Sequence, residues 1–236
     1  MEPQRLSDNY ARVQERIDAA RQRAGRDDEV RLVAVSKTQS VEVVAAAYRA
    51  GMRLFGENRV EEAGPKAEAL ARMIAPGPPP AWHMIGHLQS RKAAHVLPWA
   101  SMVHSIDSTR LATRLNRMLE EEKAGRALSI LLEVNVSGEA SKEGFARVDL
   151  RAAVETISAL PHLRIEGLMT MAPIVADPGQ ARPVFRDLRR LRDELAATFP
   201  GVRFHHLSMG MTDDFEVAIE EGATIVRIGR AIFGER

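Results

Sequence analysis

The first apolar run of the chain, Arg31-Leu32-Val33-Ala34-Val35-Ser36-Lys37-Thr38, decides how the rest of the sequence is interpreted. Its apolar, partly β-branched residues are typical of a strand buried in a parallel sheet. A sheet that binds dinucleotides would carry a G-x-G-x-x-G pattern directly after such a strand, and none follows here. The run therefore favours a different α/β architecture over an open doubly wound sheet.

Seven further strand-like segments follow the first at a regular spacing. The eight candidate strands span residues 31–35, 53–55, 82–85, 102–105, 129–134, 164–168, 203–206 and 224–226. Strands that alternate with helical patterns indicate βαβ units, and eight such units close into a barrel. The sequence therefore predicts an α/β fold, a single (β/α)8 barrel of the TIM type, with the open doubly wound sheet as the alternative.

An additional amphipathic helix is predicted before the first strand, because apolar residues recur there at spacings of four and three. These residues are Leu6, Tyr10, Val13, Ile17 and Ala20. The stretch Ala75-Pro76-Gly77-Pro78-Pro79-Pro80 cannot be helical, and we expect it to link a helix to the third strand on the surface. Because the same rhythm continues on both sides of it, residues 1–236 are predicted to form one domain.

The composition excludes several classes of function. The chain has 33 basic and 32 acidic residues, so no overall charge favours nucleic acid. It has no cysteine, which rules out disulfides and fits a reducing cytoplasm. The N-terminus lacks the apolar segment of a signal peptide, and no run of 18 apolar residues could span a membrane. We therefore expect a cytoplasmic protein that binds neither nucleic acid nor membrane.

Lys37 is the first candidate for chemistry, because it lies just past the end of strand 1. In parallel barrels the active site is built at the carboxyl ends of the strands. A desolvated lysine can lose its proton near neutral pH and act as an amine nucleophile. The alternative is a lysine that forms an ion pair with a carboxylate at the barrel mouth.

Two glycine-containing turns near the end of the chain form the second candidate feature. They are Ser208-Met209-Gly210-Met211, which follows the predicted strand 7, and Arg227-Ile228-Gly229-Arg230, at the end of strand 8. Glycine lets backbone N–H groups approach a phosphate closely, and Ser208 and Thr212 could add hydroxyl donors. Either glycine could instead serve only as a turn residue.

The amine and the phosphate cradle become neighbours when strand 8 closes the barrel against strand 1. Together they suit pyridoxal 5′-phosphate (PLP), whose aldehyde would form a Schiff base with Lys37 while backbone N–H groups hold its phosphate. Arg227 points to the same side as Gly229 and could face the pyridine nitrogen, or it could serve as an ion-pair partner. A Schiff-base aldolase for a phosphorylated sugar would use the same two features.

Other polar residues near strand ends give weaker signals. Glu57 and Asn58 follow the predicted strand 2, His83 lies within strand 3, and His87 follows it. None of the His, Asp and Glu spacings makes a convincing metal site, so no metal is predicted. His83 is interpreted as a packing or hydrogen-bonding residue.

Several segments taken together resemble the pyridoxal phosphate homeostasis protein family, the YggS/PROSC type. They are Ala34-Val35-Ser36-Lys37-Thr38, Phe55-Gly56-Glu57-Asn58, Trp82-His83-Met84-Ile85-Gly86-His87-Leu88-Gln89, Val134-Asn135, Ser141-Lys142-Glu143-Gly144, Gly167-Leu168-Met169, Leu207-Ser208-Met209-Gly210-Met211-Thr212-Asp213-Asp214 and Val226-Arg227-Ile228-Gly229-Arg230-Ala231-Ile232-Phe233-Gly234. The resemblance runs over nearly the whole chain.

The resemblance implies a barrel like the N-terminal domain of alanine racemase, with PLP bound to Lys37. It implies cofactor contacts from Lys37, Asn58, Ser208, Met209, Gly210, Thr212, Arg227, Gly229 and Arg230. At position 230 only the backbone N–H would be needed. Members of the family affect vitamin B6 and amino-acid balance without an established reaction, so no catalytic residue is predicted.

The sequence also suggests why racemisation would be absent. A two-base racemase needs a second acid or base on the opposite face of the cofactor, which alanine racemases take from a tyrosine of an added β-domain. The chain ends at Arg236, so we expect no such domain, and its two tyrosines, Tyr10 and Tyr48, lie in predicted helices. An arginine beside the pyridine nitrogen would also disfavour its protonation.

We therefore expect a monomeric, non-catalytic PLP carrier or regulator that exchanges the cofactor with apo-PLP enzymes. A PLP-dependent amino-acid racemase of low activity is the alternative. Lys142, in the loop after strand 5, could be a second PLP contact or a solvated surface charge.

Overall fold

Eight parallel strands close into one barrel in the computed structural model, which describes residues 2–123, 125–139 and 143–235. The strands are β1 Arg31–Val35, β2 Leu54–Glu57, β3 Ala81–Met84, β4 Met102–Ile106, β5 Leu128–Glu133, β6 Leu163–Met169, β7 His206–Ser208 and β8 Ile225–Ile228. Each strand pairs with the next along the chain, and β8 pairs with β1. The predicted (β/α)8 barrel is confirmed.

Helices connect the strands on the outside of the barrel. They are α1 Pro3–Arg23, α2 Val41–Arg49, α3 Val60–Ile74, α4 Thr109–Glu121, α5 Leu150–Ser158, α6 Arg182–Thr198, α7 Phe215–Glu220 and α8 Arg230–Phe233. The connection from β3 to β4 contains the 3₁₀ helix Ser90–Val96 rather than an α-helix. The proline-rich stretch links α3 to β3, and Tyr48 Oη donates to the Pro78 carbonyl at 2.8 Å. No helix in the described ranges is long and apolar enough to cross a membrane.

The additional helix α1 packs its apolar face against α7 and α8. Four of the five residues predicted to form that face are buried, and Tyr10 is half-buried. Salt bridges also connect α1 to α7. Arg16 Nε lies 2.6 Å and Arg23 NH2 2.8 Å from the carboxylate oxygens of Glu216. The predicted N-terminal helix is therefore part of the outer layer of the barrel.

The seventh strand lies further along the chain than the sequence predicted. It begins at His206 rather than at residue 203, because the pairing with β6 starts at Gly167↔His206 and ends at Met169↔Ser208. Phe204 is buried in the layer between helices and barrel instead of joining the sheet. As a result Ser208 is the last residue of β7, whereas the sequence predicted it in the loop after that strand. The predicted first strand coincides with β1, and the remaining predicted strands apart from β7 differ from the observed ones by at most two residues at each end.

Two apolar layers hold the barrel together. The larger layer lies between the strands and the surrounding helices, and the smaller one fills the barrel interior. The buried members of the interior cluster are Val33, Ile85, Met102, Leu131, Met169 and Ile225. Polar groups share the interior, because His83, His104, Ser208 and Arg227 are all buried. The barrel interior is therefore a packed core with a polar chain running through it.

Replacement of Gly167 by Ala should destabilise the barrel by about 2–3 kcal/mol, because strain and overpacking combine at this position. Its φ is +155°, and an added Cβ would lie 1.9 Å from the His206 carbonyl oxygen in the neighbouring strand. Urea denaturation measures the change. Gly201→Ala is the matched control, since nothing lies within 4 Å of its Cβ position. Equal stability of the two variants would contradict the close approach of β6 and β7.

Candidate functional site

Lys37 lies in a tight turn that follows β1 at the carboxyl end of the barrel. The Gln39 N–H donates to the Ser36 carbonyl at 3.0 Å, so Lys37 and Thr38 occupy the middle of the turn. Thr38 has a φ of +65°, a left-handed conformation that is rare for a β-branched residue. Backbone strain of this kind tends to accumulate at functional sites, where surrounding structure holds it in place. The half-buried Lys37 is thus presented at the barrel mouth by a strained turn.

The turn after β8 lies directly beside the end of β1. Ala34 pairs with Ile228, and a Cβ added to the next residue, Gly229, would lie 3.4 Å from Val35. The loop after β7 joins the same place, because the Gly210 carbonyl accepts from the Arg227 N–H at 3.0 Å. The structure therefore brings together the two glycine turns and the end of the lysine strand, as the barrel prediction required.

Three backbone N–H groups in these turns are available to an anion. Within the described ranges no backbone carbonyl accepts from the N–H of Gly210, Gly229 or Arg230. Backbone donors normally find a partner when shielded from water, so a phosphate here would satisfy groups that the chain leaves unpaired. The Met209 N–H is different, because it donates to the Ile225 carbonyl at 3.1 Å. Thr212 is half-buried two residues beyond Gly210.

Gly210 cannot be replaced without rebuilding this loop. Its φ is +92°, and an added Cβ would lie 2.6 Å from the Cβ of Ala218 and 2.9 Å from the Cα of Phe215. The glycine therefore lets the loop pack directly on α7. The close packing fixes the position of the Gly210 N–H relative to the turn after β8.

Arg227 extends from β8 into the barrel interior and is 4% exposed. Its NH1 donates to Ser208 Oγ at 2.6 Å and its NH2 donates to the Thr170 carbonyl at 3.0 Å. Burial lowers the pKa of Arg227 to about 10, opposed by the charges of Glu133 and Asp214, so the guanidinium stays protonated at neutral pH. No carboxylate of the described chain forms a direct ion pair with it.

A chain of hydrogen bonds runs from Arg227 through the barrel interior. His104 Nδ1 lies 2.9 Å from Ser208 Oγ, and His104 Nε2 lies 2.9 Å from His83 Nδ1. Because arginine can only donate, Ser208 Oγ accepts from Arg227. Its one hydroxyl proton has no acceptor among the described residues other than His104 Nδ1, to which we assign it. We therefore assign the proton of His104 to Nε2, from which it is donated to His83 Nδ1. Every bond in the chain has the same direction.

Both histidines in this chain of hydrogen bonds, His83 and His104, are neutral. Burial lowers the pKa of His83 to about 3 and that of His104 well below its usual value, with nearby positive charges adding to the effect. The sequence predicted Ser208 as a hydroxyl donor to phosphate, whereas the structure places this hydroxyl between Arg227 and His104. Sequence reasoning missed His104, because no pattern distinguishes it from any other polar residue in a strand. His83 does make hydrogen bonds, as its interpretation required.

A buried ion pair lies beside the lysine turn. Lys66 Nζ is 2.6 Å from Glu57 Oε1 and 3.0 Å from the Ser36 carbonyl, and Ser36 Oγ donates to the same carboxylate oxygen at 2.7 Å. Burial raises the pKa of Glu57, and the bonds from Lys66 and Ser36 oppose the shift. The predicted position of Glu57 after strand 2 is corrected, because it is the last residue of β2.

Two buried oxygen atoms at the end of β2 have no hydrogen-bond partner in the described chain. They are Glu57 Oε2 and Asn58 Oδ1. Unpaired buried oxygens are costly, and they are tolerated where a bound molecule or water completes the site. The site therefore combines a lysine, unpaired donors from two loops and unpaired acceptors from β2. Lys142, the other lysine considered from the sequence, lies outside the described residues.

Comparison with known proteins identifies the class to which this barrel belongs. The family described as alanine racemase, N-terminal domain, matches residues 9–236. The structure of alanine racemase from Corynebacterium glutamicum superposes with a TM-score of 0.68 at 16% identity, covering 99% of this chain and 61% of that one. At this identity the likeness concerns the fold alone.

Two more similar proteins narrow the assignment. The pyridoxal phosphate homeostasis protein of Pseudomonas aeruginosa is 44% identical over 98% of this chain and 96% of its own length. The structure of PipY from Synechococcus elongatus PCC7942 with PLP bound has a TM-score of 0.83 at 34% identity, covering 97% of this chain and 100% of that one. The chain belongs to the pyridoxal phosphate homeostasis protein family.

Replacement of His83 by Asn should make stability less sensitive to acid. The folded pKa of His83 lies below its unfolded value of 6.5, so wild type loses stability as pH falls from about 6.5 towards 3. Between pH 7.5 and 5 this loss amounts to about 2 kcal/mol for one such histidine. Urea denaturation at the two pH values should show a smaller loss in His83→Asn, whose side-chain oxygen can still accept from His104. An identical loss of stability in both proteins would contradict a neutral His83 in the folded state.

Replacement of Lys66 by Met should destabilise the protein by about 3 kcal/mol at pH 7.5, because it leaves the Glu57 carboxylate buried without its partner. The double variant Lys66→Met, Glu57→Gln should recover much of this loss. Acidification should also reduce the loss, since Glu57 then becomes neutral. Chemical denaturation of wild type, single and double variants measures all three effects. A double variant no more stable than the single one would show that the ion pair is not the cause.

Proposed function

We propose that this protein binds PLP at the barrel mouth, with Lys37 Nζ as the covalent attachment point, and that it serves PLP homeostasis. The observation that carries the proposal is the convergence of the Lys37 turn with the unpaired N–H groups of Gly210, Gly229 and Arg230. Support comes from the PLP-bound structure of PipY. The shared family leads us to expect PLP binding, and these residues offer an amine for its aldehyde and N–H donors for its phosphate.

The described residues fit the parts of the cofactor. The backbone N–H groups of Gly210, Gly229 and Arg230 would hold the phosphate, with the Thr212 hydroxyl and the Met209 backbone at its edge. Asn58 would lie near Lys37 and the ring. Ser208 would act through Arg227, because its hydroxyl is already engaged in the interior chain.

Arg227 would face the pyridine nitrogen with one of the guanidinium N–H groups that its bonds to Ser208 and Thr170 do not use. PLP supplies an electron sink for amino-acid chemistry, and it is strongest when its ring nitrogen is protonated. A guanidinium that stays charged at neutral pH would donate to that nitrogen and disfavour a second positive charge beside it. This arrangement favours holding the cofactor over turning over amino acids.

The described chain also offers no tyrosine as a second acid or base at the mouth. Tyr10 lines a pocket of about 370 Å³ at the opposite end of the barrel, together with Arg31 and His83. Tyr48 Oη donates to the Pro78 carbonyl in the loop before β3. We therefore infer a non-catalytic role, in which a monomeric, cytoplasmic, single-domain protein exchanges PLP with apo-PLP enzymes.

The attachment point is tested by the visible absorption spectrum after PLP loading and removal of excess cofactor. Wild type should retain a band that borohydride bleaches, and Lys37→Ala should lack it. Lys92→Ala is the matched control, because Lys92 is paired with Glu61 on the surface and should leave the band unchanged. No band in wild type would refute PLP binding, and a bleachable band in Lys37→Ala would move the attachment to another lysine.

The non-catalytic role is tested with the same loaded protein. D- and L-amino acids should show no interconversion above the level of Lys37→Ala. Steady turnover that disappears in Lys37→Ala would instead establish a racemase of low activity. Appearance of activity in an added apo-PLP enzyme measures the proposed transfer.

A further inference from the structure

Three side chains with metal-binding groups converge at the barrel mouth, across from Lys37. His87 follows β3, Asp107 follows β4, and Glu143 lies in the connection after β5. His87 Nδ1 is 2.8 Å from Glu143 Oε2 and 3.4 Å from Asp107 Oδ2. One ligand atom from each residue lies within 4.8 Å of the other two. The sequence prediction of no metal rested on spacing alone, which cannot show that three separate loops meet.

These separations suit ligands of one metal ion. Nitrogen and oxygen ligands of zinc lie about 2.1 Å from the ion, so two ligands at angles between 90° and 110° are roughly 3.0–3.4 Å apart. The two distances from His87 Nδ1, 2.8 and 3.4 Å, bracket this range. A small movement of side chains that are partly exposed would place all three around a common centre.

The surrounding structure orients two of the three ligands. Ser108 Oγ donates to Asp107 Oδ1 at 2.8 Å, which leaves Oδ2 directed to His87. Glu143 precedes Gly144, which packs so closely on the end of β5 that an added Cβ would lie 2.9 Å from the Glu133 carbonyl oxygen. Supporting hydrogen bonds and a fixed backbone of this kind are typical of metal sites.

A further buried carboxylate lies at the end of β5, the strand that leads to Glu143. Glu133 ends β5 and is 4% exposed, and no described residue forms a hydrogen bond with its carboxylate. Burial raises the pKa of Glu133 to about 7, opposed by Arg227, and the charges of Asp107 and Glu143 add to the rise. Negative charge therefore accumulates at this edge of the mouth, where His87 contacts both Asp107 and Glu143.

We propose that His87, Asp107 and Glu143 form a binding site for one divalent transition-metal ion of the Zn²⁺ or Mn²⁺ class. A neutral imidazole and two carboxylates balance a charge of +2. One nitrogen with two oxygens is a mixed ligand set suited to these ions, whereas Mg²⁺ prefers oxygen ligands and binds more weakly to such a site. Three protein ligands leave at least one position open to water or to a molecule that enters the mouth.

The site is tested by titrating the PLP-free full chain with Zn²⁺, Mn²⁺ and Mg²⁺ in separate calorimetric experiments. Wild type should bind one equivalent of Zn²⁺ or Mn²⁺ more tightly than Mg²⁺. His87→Ala and Glu143→Gln should each weaken that binding at least tenfold, as loss of a ligand does. His95→Ala is the matched control, because His95 is an exposed imidazole outside the cluster and should bind as wild type does.

Two outcomes would overturn the site. One is the lack of any saturable transition-metal binding by wild type, which would make His87 only an ion-pair partner of the carboxylates. The other is binding that survives unchanged in both ligand variants, which would place the ion elsewhere. Circular dichroism of each variant establishes that it is folded. Because PLP is absent from the titration, the outcome is independent of cofactor binding at Lys37.

Discussion

The pairing of β8 with β1 is the constraint on which the rest of the site depends. It closes the sheet and places the turn after β8 against Val35, which lies two residues before Lys37. Without this contact, an amine near residue 37 and backbone donors between residues 210 and 230 would belong to distant parts of the chain. The same closure encloses the interior, where Arg227 loses its water and gains the Ser208 and Thr170 acceptors.

The interior hydrogen-bond chain shows how one buried cation organises a core. Arg227 can only donate to Ser208, and with the Ser208 proton assigned to His104 all bonds as far as His83 run in one direction. The histidines must then be neutral, which agrees with their lowered pKa values. Hydrogen-bonded polar networks of this kind make a core specific, while each unsatisfied member would be costly. The barrel thereby holds a charged side chain in a fixed orientation towards the mouth.

The architecture could be predicted from sequence because it depends on repetition. Eight strand-like runs at regular spacing specify a barrel, and the barrel in turn predicted that Lys37 and Gly229 are neighbours. The position of β7 could not be read in this way, since the pairing with β6 decided it against the local preference around Phe204. Side-chain partners were also beyond reach. The Glu57–Lys66 pair depends on how α3 packs against the end of β2. The hydrogen bond between Ser208 and His104 depends on which strand residues face inward at the same level.

The family resemblance favoured PLP as the ligand, which the residues alone could not distinguish from a phosphorylated sugar. A lysine at a strand end and two glycine turns suit a phosphorylated aldehyde, but they also suit a phosphorylated sugar. The proposed metal ligands, in contrast, could not be found from the sequence. His87, Asp107 and Glu143 are spread over 57 positions of the sequence and share no motif, so only the arrangement of three neighbouring strand ends reveals them.

The assembly of the site from both ends of the barrel has a consequence for the protein during its synthesis. A growing chain exposes the Lys37 turn early, yet the donors near residues 229 and 230 leave the ribosome almost 200 residues later. Domains generally fold as units once their last element is available. In the proposed binding mode, an incomplete chain has the amine but not the anion cradle, so ligand capture would begin only after translation of β8. A bound cofactor would then indicate that the barrel has closed.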